Sequence, residues 1–230
     1  MKGLPFNAEM ALAMWEGRKS VTRRPMKDQP DTSHWKQEAI DTPKEWRKQA
    51  YLGPQHMSHD PNMWCLFNVG DSYGAVPYTG RKAPYSPGEV VYMQEPWATR
   101  YTQPINGDSR DVIFRDDPQA SCVIHWRSPV TMLFDASRLH LRLTVRPERL
   151  WEITEEEAIA EGILVGLSPF NPDSAMQYPE LLELFADLWD SIYGKTFPWS
   201  SNPWVWRYGL EEVWRRWTNT YYLLEQQLWG

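Results

Sequence analysis

Between Leu139 and Val145 the chain alternates without a break, with Leu139, Leu141, Leu143 and Val145 interleaved by His140, Arg142 and Thr144. Successive side chains of a strand point to opposite faces, so the run predicts a strand, within about 136–145, that is buried on one face and wet on the other. A half-buried strand needs sheet neighbours and a core beneath it. Residues 89–94, after Pro87-Gly88, carry high strand propensity, and 112–114 and 121–126 extend the theme. Residues 203–213 read as a closing strand.

Helix signals flank these strands. Asn7 can cap a short helix to about Glu16 that carries Met10, Leu12, Met14 and Trp15, with Gly17 as its stop. Thr154 followed by Glu157 is a capping box, acidic residues fill that first turn, and Gly162 ends the helix. A longer amphipathic helix is expected over about 178–192, with Leu181, Leu184, Phe185, Leu188 and Trp189. Trp214, Trp217, Tyr221, Leu224 and Leu228 are spaced by threes and fours, which predicts a C-terminal helix over about 214–229. That helix packs on its own domain or joins a second copy as a homodimer. Residues 26–86, rich in Pro, Gly, Asp, His and Gln, read as a long loop-rich insertion with a short helix near 43–51. The order of helix, strands, helices and final strand fits one α+β domain over 1–230, built on a small barrel or strongly bent sheet.

Charge and composition remove several classes of function. A net charge of −6 argues against broad binding to a phosphate backbone, so any contact with nucleic acid must be local. No run approaches the ~18 apolar residues of a membrane span. The N-terminal residues have no apolar stretch of the signal-peptide type, and two cysteines, Cys65 and Cys122, suit a reduced compartment. The expectation is a cytoplasmic protein without a membrane partner. His56, His59 and Cys65, and Cys122 with His125, do not complete a four-ligand zinc set by spacing, so no metal or cofactor is expected.

The chemistry-bearing residues concentrate near the N-terminus. Arg18, Lys19, Arg23 and Arg24 place four cations within seven residues of an acidic protein. Such a segment is either an anion grip or a solvated basic turn. Lys19 and Thr22, three apart, can share one side of a helical turn. A lysine whose pKa is lowered by burial or by other cations can act as a base, and a hydroxyl beside it as a nucleophile. A carboxylate can orient the lysine or shuttle a proton, and spacing leaves open which one.

The segment Gly17-Arg18-Lys19-Ser20-Val21-Thr22-Arg23-Arg24 resembles the G-R-K-[ST]-x-T-x-R signature of ASCH domains, members of the PUA-like β-barrel superfamily. Three further segments agree in order. The run from Pro87 to Trp97 (P-G-E-V-V-Y-M-Q-E-P-W) is similar to a strand of the phage and prophage branch. Ala158-Ile159-Ala160-Glu161-Gly162 is similar to its A-x-x-E-G helix end. Asn202-Pro203-Trp204-Val205-Trp206 is similar to its closing strand. The four span nearly the whole chain.

The resemblance implies a mixed β-barrel with flanking helices and a role in RNA or nucleoside chemistry. Some bacterial members are N4-acetylcytidine amidohydrolases with a Lys-Thr-Glu site, which falls here on Lys19, Thr22 and Glu161. In that reading Thr22 attacks the amide carbonyl, Lys19 activates it, and Glu161 orients or transfers a proton. Arg24 matches a family arginine that binds phosphate or positions the base. Arg18 and Arg23 join it as substrate contacts, with Tyr92 and Trp97 as stacking aromatics. Tyr92 and Trp97 are an odd number apart, so a regular strand sends them to opposite faces, and Pro96 provides a place for a bulge. The expected partner is a nucleoside or nucleobase, or its counterpart in RNA or modified DNA. The alternatives are a non-catalytic module that binds RNA or a modified base and, with less support, a ribonuclease. The chain departs from the amidohydrolases in its insertion and C-terminal segment, and Thr131 stands where the phage branch carries a His.

Overall fold

The computed structural model describes residues 1–30, 44–48, 63–68, 79–101, 110–163 and 179–216. In chain order the strands are β1 (Lys2–Pro5), β2 (Val21–Pro25), β3 (Lys44–Lys48), β4 (Met63–Asn68), β5 (Thr79–Lys82), β6 (Val90–Gln94), β7 (Trp97–Tyr101), β8 (Arg110–Phe114), β9 (Leu139–Arg149) and β10 (Trp204–Arg215). The helices are α1 (Ala8–Trp15), α2 (Glu155–Ala160) and α3 (Pro179–Tyr193), with short 3₁₀ turns between elements. The protein is α+β. Five strands hydrogen-bond in the order β1-β6-β9-β10-β2, β3-β4-β5 form a second sheet, and β7 pairs with β8. The expected mixed β-barrel is not closed among the described residues, where β1 and β2 are the two edges of the five-stranded sheet. None of the helices among the described residues is long and apolar enough to cross a membrane.

The chain divides into two compact units, and β9 and β10 each contribute residues to both. The first unit contains Met1–Ser20, Val90–Arg142 and the chain from Leu210 onward. There β1 runs parallel to β6, with Leu4 opposite Met93, and β6 runs antiparallel to β9, with Val91 opposite Leu141. Leu4, Val91, Met93, Leu139 and Leu141 are buried, so the alternation of β9 delivers its odd positions to a core as expected. Asn7 caps α1 by accepting the Met10 N–H at 2.8 Å, and Gly17, at φ +76°, takes the left-handed position that ends it. The strand expected over 121–126 is absent. At the end of β8, Asp117 accepts the Phe114 N–H at 2.8 Å, and Ala120–Cys122 curls into a 3₁₀ turn.

The second unit contains Val21–Glu89 and Leu143–Gly209. There β2 pairs antiparallel with β10, from Val205 opposite Pro25 to Gly209 opposite Val21. Leu150, Ile153 and Ala158 pack with Phe185 and Trp189 of α3 and Val205 of β10 as its core. Thr154 caps α2 through the Glu157 N–H, and Gly162, at φ +90°, follows its end. The helix expected near 43–51 is corrected to the strand β3, which pairs in register with β4 from Lys44 opposite Asn68 to Lys48 opposite Trp64. Cross-strand partners decide such a short segment where local pattern does not. The remaining structure of 26–86 therefore includes a three-stranded sheet.

The C-terminal helix expected over 214–229 begins inside what is strand. Trp214 and Arg215 close β10, where the Trp214 ring stacks on His140 of β9 at 4.4 Å and Arg215 donates to the Trp15 carbonyl at 2.9 Å. These contacts within the first unit hold the extended form. The rest of that helix lies outside the described residues.

Candidate functional site

The basic segment is not a solvated turn. Lys19 is 5% exposed, Thr22 7% and Arg23 3%, and Glu161 is 4% exposed. Lysine and arginine are almost never this buried unless they are paired. Lys19 belongs to the first unit, where its backbone N–H bonds the Ala13 carbonyl after the Gly17 stop. Arg18, also in that unit, is half-buried and closes back on Glu16, with its Nε 2.7 Å from Oε2.

Thr22, Arg23, Arg24 and Glu161 lie in the second unit. Side chains alternate along β2, so Arg23 takes one face and Thr22 and Arg24 the other. The register sets Arg23 opposite Arg207, Thr22 opposite Tyr208 and Arg24 opposite Trp206. Arg23 is engaged on every edge of its guanidinium. Nε donates to Glu148 Oε1 at 2.6 Å, Nη1 to Glu161 Oε1 at 3.1 Å, and Nη2 to Glu157 Oε2. Its side chain has no exposed surface.

Two more arginines brace two of these carboxylates, Glu148 and Glu157. Arg146 donates to Glu148 Oε2 at 2.9 Å and to Glu157 Oε1 at 3.1 Å. Arg207 Nε lies 2.8 Å from Glu157 Oε1, a close ion pair whose N–H points off the hydrogen-bonding direction, leaving that nitrogen without a hydrogen bond. Three arginines thus face three glutamates, and the cluster is neutral in sum. Burial works against the charge of Arg23, but Glu148, Glu161 and Glu157 outweigh it and raise its pKa. Burial raises the pKa of Glu148 in turn, against the pull of Arg23 and Arg146.

Arg24 sits in a different setting. Burial raises the pKa of the Tyr193 phenol on α3, with Arg24 pulling it down and Glu161 pushing it up, so Tyr193 lies within reach of both charges. The buried Tyr208 phenol is also pushed up by burial, with Tyr85 adding and Arg24 opposing, and its ring meets Tyr85 edge-on at 5.6 Å. A threonine hydroxyl, an arginine and two phenols therefore come from β2, β10 and α3 of one unit.

The two expected aromatics belong to the first unit. Tyr92 donates its hydroxyl to the Met132 carbonyl at 3.3 Å and meets Phe134 edge-on at 5.8 Å. Trp97 is buried with Phe114 and Met132, donates Nε1 to Thr131 Oγ1 at 3.3 Å, and carries the Arg127 guanidinium 4.8 Å from its ring centre. Trp97 fills a core there.

Among the described residues no three metal-type ligands converge. Cys122 is a free, exposed thiol, while His56 and His59 lie outside the described residues.

Glu148, Glu157, Arg146 and Arg207 are the members of the cluster that pattern reading passes over. Glu148 has the parity of Arg142, Thr144 and Arg146, the exposed positions of β9, yet it is buried. Glu157 reads as part of an acidic helix start, but it stands four residues before Glu161. Like charges at that spacing disfavour an isolated helix, which is a signal for a shared cation. No family model, curated protein or solved structure matches this chain.

Proposed function

We propose that the chain is an ASCH-type, PUA-like hydrolase that removes the acyl group from a modified nucleobase or nucleoside, most simply an N4-acylcytidine or N4-acylcytosine. Lys19 takes the proton of the Thr22 hydroxyl, and Thr22 Oγ attacks the amide carbonyl carbon. The C–N bond breaks, the amine leaves with a proton handled by Lys19 and Glu161, and water then releases the acyl group from Thr22.

The observation that carries this reading is burial. The lysine, threonine and glutamate singled out by the motif are at 5%, 7% and 4% exposure, where a basic surface turn would leave them in water. Burial of a cation and a carboxylate costs folding energy and is kept where it is paired or where it serves chemistry. The neutralisation of Arg23 by three carboxylates and the net charge of −6 favour a small substrate over sequence-blind binding to a polymer.

The test is a panel of N4-acylated cytidines and cytosines, followed by release of the free amine. Wild-type protein turns over at least one member, Lys19→Ala loses roughly 10²–10⁴-fold in rate, and Thr22→Ser keeps measurable activity where Thr22→Val does not. No product across the panel overturns the substrate class. Equal product from Lys19→Ala overturns the mechanism. Tight binding of a base or RNA without turnover assigns the chain to the binding-module class instead.

A further inference from the structure

Sequence reading groups Arg23 with the residues that touch substrate, and its surroundings contradict that role. A guanidinium with no exposed surface and a carboxylate on each of its three nitrogens has three of its five N–H donors taken and no face open to a phosphate or a base. Its contacts are also unequal. Glu148 and Glu157 are held a second time by Arg146, and Glu157 a third time by Arg207, so these two carboxylates form a braced frame that does not depend on Arg23 for its charge balance. Glu161 meets Arg23 at 3.1 Å, a looser contact than the 2.6 Å to Glu148.

We propose that Arg23 is a positioning residue: clamped on two edges by Glu148 and Glu157, its guanidinium uses the third edge to fix the carboxylate of Glu161. The inference rests on the reading of Glu161 as a working group of the hydrolase. Glu161 leaves the end of α2, where its backbone N–H bonds the Glu157 carbonyl and Gly162 turns the chain away. Glu157 and Glu161 share one face of that helix and converge on one cation from β2. The Tyr193 phenol from α3 feels the charge of Glu161 and that of Arg24. A three-edged arginine sets direction as well as charge, which a lysine ammonium does not.

The experiment compares wild type with Arg23→Gln and Arg23→Lys, by kinetics on the best substrate of the panel and by crystal structures of the folded variants. Arg23→Gln lowers kcat on the order of 10²-fold, the cost of a small misplacement of a working group, with KM little changed. Arg23→Lys, which keeps the charge, recovers part of kcat. In the Arg23→Gln crystal the Glu161 carboxylate leaves its wild-type place. If that variant fails to fold, Arg23→Lys carries both readouts.

Wild-type kcat with Glu161 unmoved overturns the proposal. So does a loss of kcat that tracks a loss of thermal stability and that Arg23→Lys does not recover in part, which is the mark of a structural role. If the wild type turns over nothing while Glu161 moves in the variant crystals, the substrate reading falls and the positioning of Glu161 by Arg23 stands.

Discussion

Arg138, in the first unit, offers a sharp test of how charge is buried in this chain. Its guanidinium makes four hydrogen bonds to carboxylates, to Glu95 Oε1 and Oε2 at 2.7 Å each and to Asp116 at 2.7 and 2.8 Å. Arg138 is 1% exposed and Glu95 2%. The Trp15 and Phe114 rings lie 4.7 and 4.2 Å from the guanidinium carbon. Replacing Arg138 by Met keeps much of the volume and the ring contacts but leaves the buried Glu95 and the half-buried Asp116 without this cation. Breaking a buried ion pair from one side costs about 3–5 kcal/mol, most of it the uncompensated charge rather than the lost bonds. The triple change Arg138→Met, Glu95→Leu, Asp116→Asn removes the charge problem and is expected to return to within about 1 kcal/mol of wild type. Urea unfolding followed by tryptophan fluorescence at about pH 7.5 measures both, with Trp15 beside the lesion. The penalty of the single variant shrinks toward low pH, where Glu95, already pushed up by burial, takes up a proton. A cost below about 1 kcal/mol for Arg138→Met, or a triple variant as unstable as the single, refutes the view that this cluster is desolvated and held by its arginine.

Two further outcomes follow from the same kind of accounting. Burial pushes the pKa of Glu95 up to about 7, against the hydrogen bond and charge of Arg138. The folded chain therefore holds that proton more tightly than the unfolded chain does. This contribution to stability is complete below about pH 4.5 and is lost as pH rises through about 7, to a total of about 3 kcal/mol. Unfolding free energies measured across that window fall with pH in the wild type and flatten in Glu95→Gln, and an unchanged slope in the variant contradicts the assignment. At Gly194, an added Cβ would lie 2.5 Å from the Asp190 carbonyl oxygen and 3.0 Å from its Cα. These are backbone atoms at the end of α3 and cannot swing aside, so Gly194→Ala is expected to cost about 1–3 kcal/mol, read as a fall in Tm. A neutral substitution there would mean that the end of α3 relaxes freely.

Elements with strong local signals were legible in the sequence. The alternation of β9, the caps at Asn7 and Thr154 and the glycine stops at Gly17 and Gly162 all act over a few residues, and each appears where the pattern puts it. Elements decided by distant partners were not. Nothing local to Lys44–Lys48 says that β4 will pair with it, and the run 121–126 has strand-forming residues but begins inside the 3₁₀ turn Ala120–Cys122. Trp214 has the spacing of a helical stripe, yet a stacking partner 74 positions earlier, His140, holds it extended. Sheet closure was the largest gap, because it depends on whether the two edge strands meet, and no single strand encodes that.

The candidate site divides along the same line. Basic residues crowded into one segment mark it as unusual, but charge in sequence does not tell whether a cation faces water, substrate or a carboxylate. Arg23 and Arg24 are adjacent and chemically identical, and strand alternation alone sends them to different faces. On one face Arg23 meets Glu148, Glu157 and Glu161, at sequence separations of 125, 134 and 138. On the other, Arg24 acts on the phenols of Tyr193 and Tyr208. One spends its charge inside the protein and the other directs it toward hydroxyl groups, so they should not be exchanged as equivalent anion binders. The buried parity of Glu148 and the four-residue spacing of Glu157 and Glu161 are the traces this arrangement leaves in the sequence. Each is a local cost, and each is repaid by the same guanidinium.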